Sequence, residues 1–328
     1  MYKNKPEIMF IRVTENCNAN CIMCDFGFNN KEKEITIEEF ERILEIAKRS
    51  NYRLIRFTGG ETLLHKNLEY FIRKCNEEDI KTSIITNGML LGTLYKKLID
   101  SGLNQIIISL DSNKEEIHNQ IRGVPGLYGK VIDAIKKIRK YSNKVIIRVN
   151  TVASDKNIFD LSDMAKLLEE LKIDQWSIIP LKSDISCWDV DKLEEYRKSY
   201  KEFQDVVKEL KHIKLLGYSK EWAGRNEKEF EEFIKNNKIY TSNKKCGLVD
   251  KVRFYIPSKN ILVPCNNVSH RISEIKAKIE EEKNIENKAN IMADWLRENG
   301  PSSCSGCEPI NVWLAENPEE IEKDIFCF

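Results

Sequence analysis

The chain alternates between short apolar runs and longer segments in which apolar residues recur every three or four positions. Strand-like runs fall at Ile8–Val13, Leu54–Phe57, Thr82–Ile85, Gln105–Leu110, Val145–Val149 and Trp176–Ile179. Between them, Ile37–Arg49, Leu68–Asn76, Leu94–Ser101, Tyr128–Lys140 and Leu161–Leu171 carry helical periodicity. Thr36, followed by Glu38 and Glu39, reads as the cap of the first helix with acidic residues in its opening turn. Ile- and Val-rich strands separated by helices of this length describe βα units and a parallel sheet. Right-handed crossovers curl about six such units into an open barrel. The expected fold class is therefore α/β, a partial (β/α)6 TIM-like barrel, with catalytic groups at the C-terminal ends of the strands.

The alternation stops near Pro180. Asp189–Leu210 reads as one charged helix, and Lys220–Lys238 as another with Trp222, Phe230 and Phe233 on a packing stripe. Val252–Ile256 and Ile261–Val263 flank Pro257–Asn260 and predict a hairpin. Polar helical stretches follow at Ile272–Lys283 and Ile291–Asn299, and the Lys/Glu run over 276–288 is a solvated helix face. The expected division is a barrel over 1–185, a helical connector over 186–245 and a small hairpin-plus-helices domain over 246–328.

Composition mainly excludes. With 41% hydrophobic and 32% charged residues and a net charge of +1, the chain is an ordinary globular one. It has no field to gather nucleic acid or an acidic membrane. No apolar run approaches a membrane span, and Met1–Pro6 has no apolar signal core behind it. The expected location is the cytoplasm, without nucleic-acid or membrane partners.

Ten cysteines without an export signal argue against a disulfide framework. Seven fall into two groups, Cys17, Cys21, Cys24 and Cys246, Cys265, Cys304, Cys307, while Cys75, Cys187 and Cys327 stand alone. Cys75 lies in a helical pattern and reads as a packed hydrophobe. The first group places three thiolates directly after the first strand. They can hold three irons of a cubane and leave the fourth open. Zinc would be closed by a fourth ligand at short spacing, yet the nearest histidine is His65. The second group offers four thiolates, enough for a closed cubane or for zinc, and spacing alone allows either.

The first group resembles the cluster loop of the radical S-adenosylmethionine (SAM) superfamily. Further motifs resemble that family's SAM-binding elements, each after an expected strand: Thr58-Gly59-Gly60-Glu61, Thr86-Asn87-Gly88, Ser109-Leu110-Asp111 and Asn150-Thr151. A polar turn after a strand would explain any one of them. Five strand ends in the family's order, over about residues 8–180, make the resemblance. It implies that SAM chelates the open iron of a [4Fe-4S] cluster on Cys17, Cys21 and Cys24, and that the reduced cluster cleaves SAM to a 5′-deoxyadenosyl radical. It also implies that Gly59 and Gly60 admit the methionyl group, with Glu61 at its ammonium. Ser109, Asp111 and Asn150 would lie at the ribose and Phe26 at the adenine, with Thr86 and Asn87 in the same set of contacts. A flavodoxin- or ferredoxin-type electron donor is implied.

The segment Phe254–Cys265 resembles the hairpin of SPASM and Twitch auxiliary-cluster domains, with Asn260 where those have a glycine. Only Cys327 follows the Cys304/Cys307 pair, so the one-cluster Twitch type fits better. This implies that Cys246, Cys265, Cys304 and Cys307 hold a second, auxiliary [4Fe-4S] cluster that relays an electron.

The barrel core is most similar to the GTP cyclases of molybdenum-cofactor synthesis, through Phe57–Leu64 and Ser109–Ser112. The tail departs from them, and GTP cyclisation is therefore not the expected function. Those cyclases end in paired glycines and use a three-cysteine cluster, whereas this chain ends Ile325-Phe-Cys-Phe328 with four cysteines, and has Arg148 in place of Lys. The expected function is hydrogen abstraction from a small polar metabolite, sugar- or nucleoside-like, giving oxidation or rearrangement. The alternatives are epimerisation or cross-linking of a ribosomal peptide, and a non-catalytic iron–sulfur or zinc protein. No peptide-recognition module is expected before the first strand, which gives a small preference for the metabolite. Arg56, His65, Arg122 and Arg148 are candidates for the barrel mouth. Alternation sends Arg148 and Val149 to opposite faces, and Arg148 is expected to face the site, since the helix-covered side would bury its charge. Cys187 is the candidate hydrogen-atom donor for an epimerisation, with a packed thiol as the alternative.

Overall fold

The computed structural model of the chain describes residues 7–24, 33–181, 188–236, 248–265 and 282–303. Six βα units come first: β1 (Ile8–Thr14), α1 (Ile37–Arg49), β2 (Leu54–Gly59), α2 (Leu68–Glu77), β3 (Lys81–Thr86), α3 (Leu91–Asp100) and β4 (Gln105–Ser109), then α4 (Glu115–Arg122), α5 (Leu127–Tyr141), β5 (Ile146–Ala153), α6 (Leu161–Glu170) and β6 (Gln175–Pro180). These six strands lie side by side in chain order, every pair parallel. Thr36 fixes the start of α1 with a capping box: Glu39 N donates to its hydroxyl at 3.1 Å, and Thr36 N donates to the Glu39 carboxylate at 2.9 Å.

Residues 188–236 add α7 (Leu193–Lys208), β7 (Lys214–Leu215), α8 (Gly217–Ala223) and α9 (Glu227–Asn236). The single helix expected over Lys220–Lys238 is two, because Asn226 starts a new one. Its side chain accepts from Glu229 N, and its own N–H donates to the Glu229 carboxylate, both at 3.0 Å. The apolar stripe is real: Trp222 and Phe230 are fully buried, and the Phe230 ring stacks on Tyr200. They share one continuous core with the barrel strands, so the connector is no separate layer. Ser219 of α8 also accepts from Ile178 N at 2.7 Å, satisfying part of the open edge of β6.

The expected hairpin forms as β8 (Val252–Ile256) and β9 (Ile261–Val263), preceded by α10 (Leu248–Lys251). It joins the barrel's own sheet, β8 running parallel to β1 with Ile8 opposite Val252. The strand order is β7-β6-β5-β4-β3-β2-β1-β8-β9, an open sheet of nine strands among the described residues. A final helix, α11 (Ile285–Ser303), starts earlier than the expected Ile291 and packs Met292, Ala293 and Leu296 on Val249, Ile256 and Val263. No helix among the described residues is long and apolar enough to cross a membrane.

Alternation along the strands separates two environments. Ile11, Phe57, Ile84, Ile108, Val149 and Trp176 join the core under the helices. Their neighbours face the barrel lumen, whose lower layer is polar. There Arg56 donates to Ser83 at 2.7 Å and to Gln105 at 3.0 Å, and Gln105 donates to Gln175 at 2.8 Å. Arg56 therefore braces three strands from inside and is not a mouth residue.

The hairpin turn shows why Asn stands at 260. Asn260 is left-handed (φ 45°), and its side-chain oxygen accepts from Arg42 at 2.7 Å and from Tyr255 at 3.0 Å. Asn260→Gly keeps the backbone conformation and loses both bonds, while Asn260→Ala also strains the backbone. Urea unfolding should show both variants destabilised, the alanine by about 1 kcal/mol more than the glycine.

Candidate active site

Cys17, Cys21 and Cys24 occupy the loop leaving the C-terminal end of β1, half-buried at Cys17 and Cys21 and exposed at Cys24. Backbone contacts hold this loop on two sides. On one, Gly60 N donates to Thr14 O at 2.9 Å and Glu61 N to Asn16 O at 2.7 Å. On the other, Asn20 N and Ile22 N donate to the carbonyls of Arg122 and Ile121 at 3.1 and 3.0 Å. The glycines serve this packing. A Cβ on Gly59 would stand 2.1 Å from Thr14 O, and one on Gly60 2.1 Å from Asn16 O. The close approach expected of Gly59 and Gly60 is thus made, in this structure, to the cysteine loop.

Glu61 is the buried hub of the mouth. Its carboxylate accepts from Thr86 Oγ1 at 2.6 Å, Asn87 N at 2.7 Å and Leu63 N at 3.0 Å. Burial pushes its carboxyl up in pKa, against the pull of those three donors. Asn87 in turn donates to Asn18 at 2.7 Å, between Cys17 and Cys21. Thr86, Asn87 and Glu61 are brought together, bonded to one another and to Asn18.

The ends of β4 and β5 carry a second buried cluster. Asp111 is wholly buried and receives both forks of Arg122, from Nε at 2.5 Å and Nη2 at 3.0 Å, as well as Val152 N at 2.9 Å. Asp111, expected at the ribose, has both oxygens engaged by Arg122 and Val152 in this structure. Burial disfavours the Arg122 charge, yet Asp111 and then Cys21 keep the guanidinium above its ordinary pKa. His118, missed in the sequence, accepts from Asp111 N at 3.2 Å, and burial pushes its pKa down to about 4. His65 is a structural residue: it bonds Ile35 O at 2.9 Å and packs on Phe71.

Ser109 and Asn150 are paired across β4 and β5 on the lumen side and are half-exposed. Arg148, one step deeper on the same face, donates to Asn150 Oδ1 at 2.8 Å. It faces the lumen as the alternation predicts. Ser177 pairs with Asn150 from β6, and its hydroxyl is buried with no partner among the described residues. Phe26, Cys187, Cys246, Cys304, Cys307 and Cys327 lie outside the described residues. Cys265 follows β9, which runs antiparallel to β8 and so carries it to the opposite end of the barrel from Cys17.

The three N-terminal cysteines suit a cluster. A cubane takes each thiolate on a different iron, so three sulfurs spread along one loop need not converge on a single ion. Burial pushes the Cys17 and Cys21 thiols up. The negative charges of Glu61 and the neighbouring cysteines add to this at Cys17, while Arg122 opposes it at Cys21. A cationic metal group at the loop would relieve that accumulation of negative charge.

Residues 11–168 match the Radical SAM superfamily. The chain is similar to the probable GTP 3′,8-cyclase of Sulfurisphaera tokodaii, 32% identical over 177 residues, covering 53% of this chain and 56% of that protein. It is 33% identical over 180 residues to the probable GTP 3′,8-cyclase of Methanocaldococcus jannaschii, covering 53% and 60%. The chain thus spans little more than half of the curated relatives it matches. Its fold resembles Streptococcus suis SuiB bound to S-adenosylmethionine (TM-score 0.60, 18% identity, 81% of this chain and 61% of that one). It also resembles anSMEcpe with bound AdoMet (TM-score 0.59, 16% identity, 98% and 97%).

Two outcomes follow from this geometry. Gly60→Ala drives a methyl into backbone atoms that cannot rotate away, so it should displace the cysteine loop. Reconstituted iron should fall at least several-fold, at a stability loss of roughly 1–3 kcal/mol by denaturant unfolding. His118 is neutral in the fold but takes a proton when unfolded. Its contribution to stability is complete above its ordinary pKa near 6.5 and is lost as pH falls toward about 4. His118→Asn should flatten the unfolding free energy between pH 7 and pH 4, checked by urea titration across that range.

Proposed function

We propose, from the premise that residues 11–168 are a radical SAM domain, that this chain is an enzyme that cleaves SAM reductively and abstracts hydrogen from a small polar metabolite, sugar- or nucleoside-like. The single observation that carries the reading is the three-cysteine loop fixed at the C-terminal mouth of a parallel barrel, directly above a polar lumen. A [4Fe-4S] cluster on Cys17, Cys21 and Cys24, with SAM bound, would supply a 5′-deoxyadenosyl radical at that mouth. Every other role belongs to the chain's own groups.

Glu61, Thr86 and Asn87 keep the cysteine loop, β2 and β3 in one register, so that ligands at the mouth meet a fixed surface. Ser109 and Asn150 offer a hydroxyl and an amide at the rim, suited to sugar hydroxyls. Deeper in, Arg148 and Ser177 present a cation and a hydroxyl that favour a polar or anionic substrate group. Lower on the sheet, the Phe10 and Phe254 rings stack, with Arg56 over the Phe10 ring. The exposed Cys24 side of the loop is where a flavodoxin or ferredoxin would approach.

Cys265, with Cys246, Cys304 and Cys307, is proposed to hold an auxiliary [4Fe-4S] cluster, which suits an oxidation needing an outlet for a second electron. GTP cyclisation is a second reading, favoured by the curated relatives, though the alignment covers only the barrel half. Peptide modification is the third.

The test is anaerobic reconstitution followed by dithionite and SAM. 5′-Deoxyadenosine should form, and Cys17→Ala, Cys21→Ala and Cys24→Ala should each lower it by at least about a hundredfold. Absence of 5′-deoxyadenosine from a protein holding its iron would sink the enzymatic reading. Iron and sulfide of about eight each per chain support two cubanes, and about four iron with one zinc would reassign the second site. Product analysis with GTP, free nucleosides and sugars, and peptides separates the three substrate readings.

A further inference from the structure

We propose that Arg122 is a positioning residue for Cys21, lending that sulfur an N–H donor and a positive charge that set how firmly the cluster is retained and at what potential it is reduced. The proposal rests on the reading of Cys17, Cys21 and Cys24 as cluster ligands and adds a determinant that lies outside the cysteine motif.

The end of α4 is built around the cysteine loop. The last carbonyls of a helix have no partner within it. Here those of Ile121 and Arg122 accept from Ile22 N and Asn20 N, the two residues flanking Cys21. Gly123 closes the helix in the left-handed region (φ 65°), and a Cβ there would stand 2.3 Å from Asn20 O. Cys21 is thereby pinned against a helix C-terminus.

That seat is electrostatically wrong for a thiolate. A helix C-terminus carries roughly half a negative charge, and the half-buried sulfur is partly withdrawn from water. Arg122 answers both. Its Nη1 lies 3.8 Å from Cys21 Sγ, within reach of a hydrogen bond to sulfur. Its Nε and Nη2 are committed to the two oxygens of Asp111, which fixes the fork and leaves Nη1 directed at the sulfur. Asp111 is itself held by Val152 N, so the cation cannot swing away. The sequence separates Arg122 from Cys21 by a hundred positions, and only the fold unites them.

The consequence is a direction. Reduction adds negative charge to the cluster, and a cation with an N–H donor at one ligand sulfur stabilises the reduced form more than the oxidised one. Removing Arg122 should lower the potential and loosen the Cys21 limb.

The test compares the reconstituted full chain with Arg122→Lys and with the neutral pair Asp111→Asn/Arg122→Gln, which avoids a lone buried carboxylate. The midpoint is followed by electron paramagnetic resonance without SAM. The signal of interest is identified as the one that shifts when SAM is added. The neutral pair should lose iron to a chelator about tenfold faster and show a lower midpoint, with Arg122→Lys between it and the wild type. Equal midpoints in proteins with the wild-type circular dichroism would overturn the proposal. Should the neutral pair not fold, Arg122→Lys decides: a lowered midpoint supports the role and an unchanged one ends it. A wild-type protein that binds no cluster would instead sink the reading of the cysteines, an outcome distinct from an unshifted variant.

Discussion

Gly59 and Gly60 bring the end of β2 so near the start of the cysteine loop that two carbonyl oxygens occupy the space a side chain would need. Much of the mouth depends on that contact. Because the backbones touch, Glu61 N reaches Asn16 O, and the Glu61 side chain is then delivered to the end of β3. The loop that carries the thiolates is consequently fixed by main-chain hydrogen bonds, which are insensitive to the rotamers of the cysteines themselves. A site that must present three sulfurs in one arrangement gains from scaffolding of this kind, since a loop held only by side chains would retain more freedom at its ligands.

The second anchor is electrostatic. Asp111 and Arg122 are both removed from water, which is unfavourable for each alone and tolerable only as a paired and fully bonded unit. The unit is bonded throughout: two forks of the guanidinium and the Val152 amide meet Asp111, and Arg122 reaches the sulfur of Cys21. The pair links the end of β4 to the loop that carries the thiolates. A change at one is therefore felt at the other through a rigid, buried contact and not through solvent.

The strands were legible because the core-facing positions are Ile, Val, Phe and Trp at period two, and α1 was legible to the residue because Thr36 and Glu39 form a capping box. The helix α4 was not read, since Glu115–Arg122 has few apolar residues and its buried members include His118 and Arg122. The break between α8 and α9 was missed for a related reason: Asn226 and Glu229 cap a new helix, but the apolar stripe runs on across the gap. At the site, the motif residues fall together as their order along the chain implies. Their partners do not follow from motif spacing. Asp111 looks like a ligand in the sequence because nothing local marks Arg122 as its counter-ion, and Arg56 looks like a mouth residue because the glutamine and serine that hold it lie on two other strands.

The hairpin gives the architecture its remaining constraint. By joining β8 to β1, the chain extends the barrel's sheet on the side of the first cysteine loop, and Ser258 of the turn donates to Glu15 at 2.6 Å, two residues before Cys17. The same hairpin then runs back along β8 and delivers Cys265 to the other end. One rigid two-stranded element thus touches the N-terminal loop with its turn and carries a second-group cysteine at its tail. Between those ends the lumen is lined by Arg56, Gln105, Arg148 and Ser177 together with Ile85 and Ile107. Polar side chains are retained in an interior at a cost in desolvation. Here Arg56, Ser83, Gln105 and Gln175 offset that cost by bonding one another across four strands.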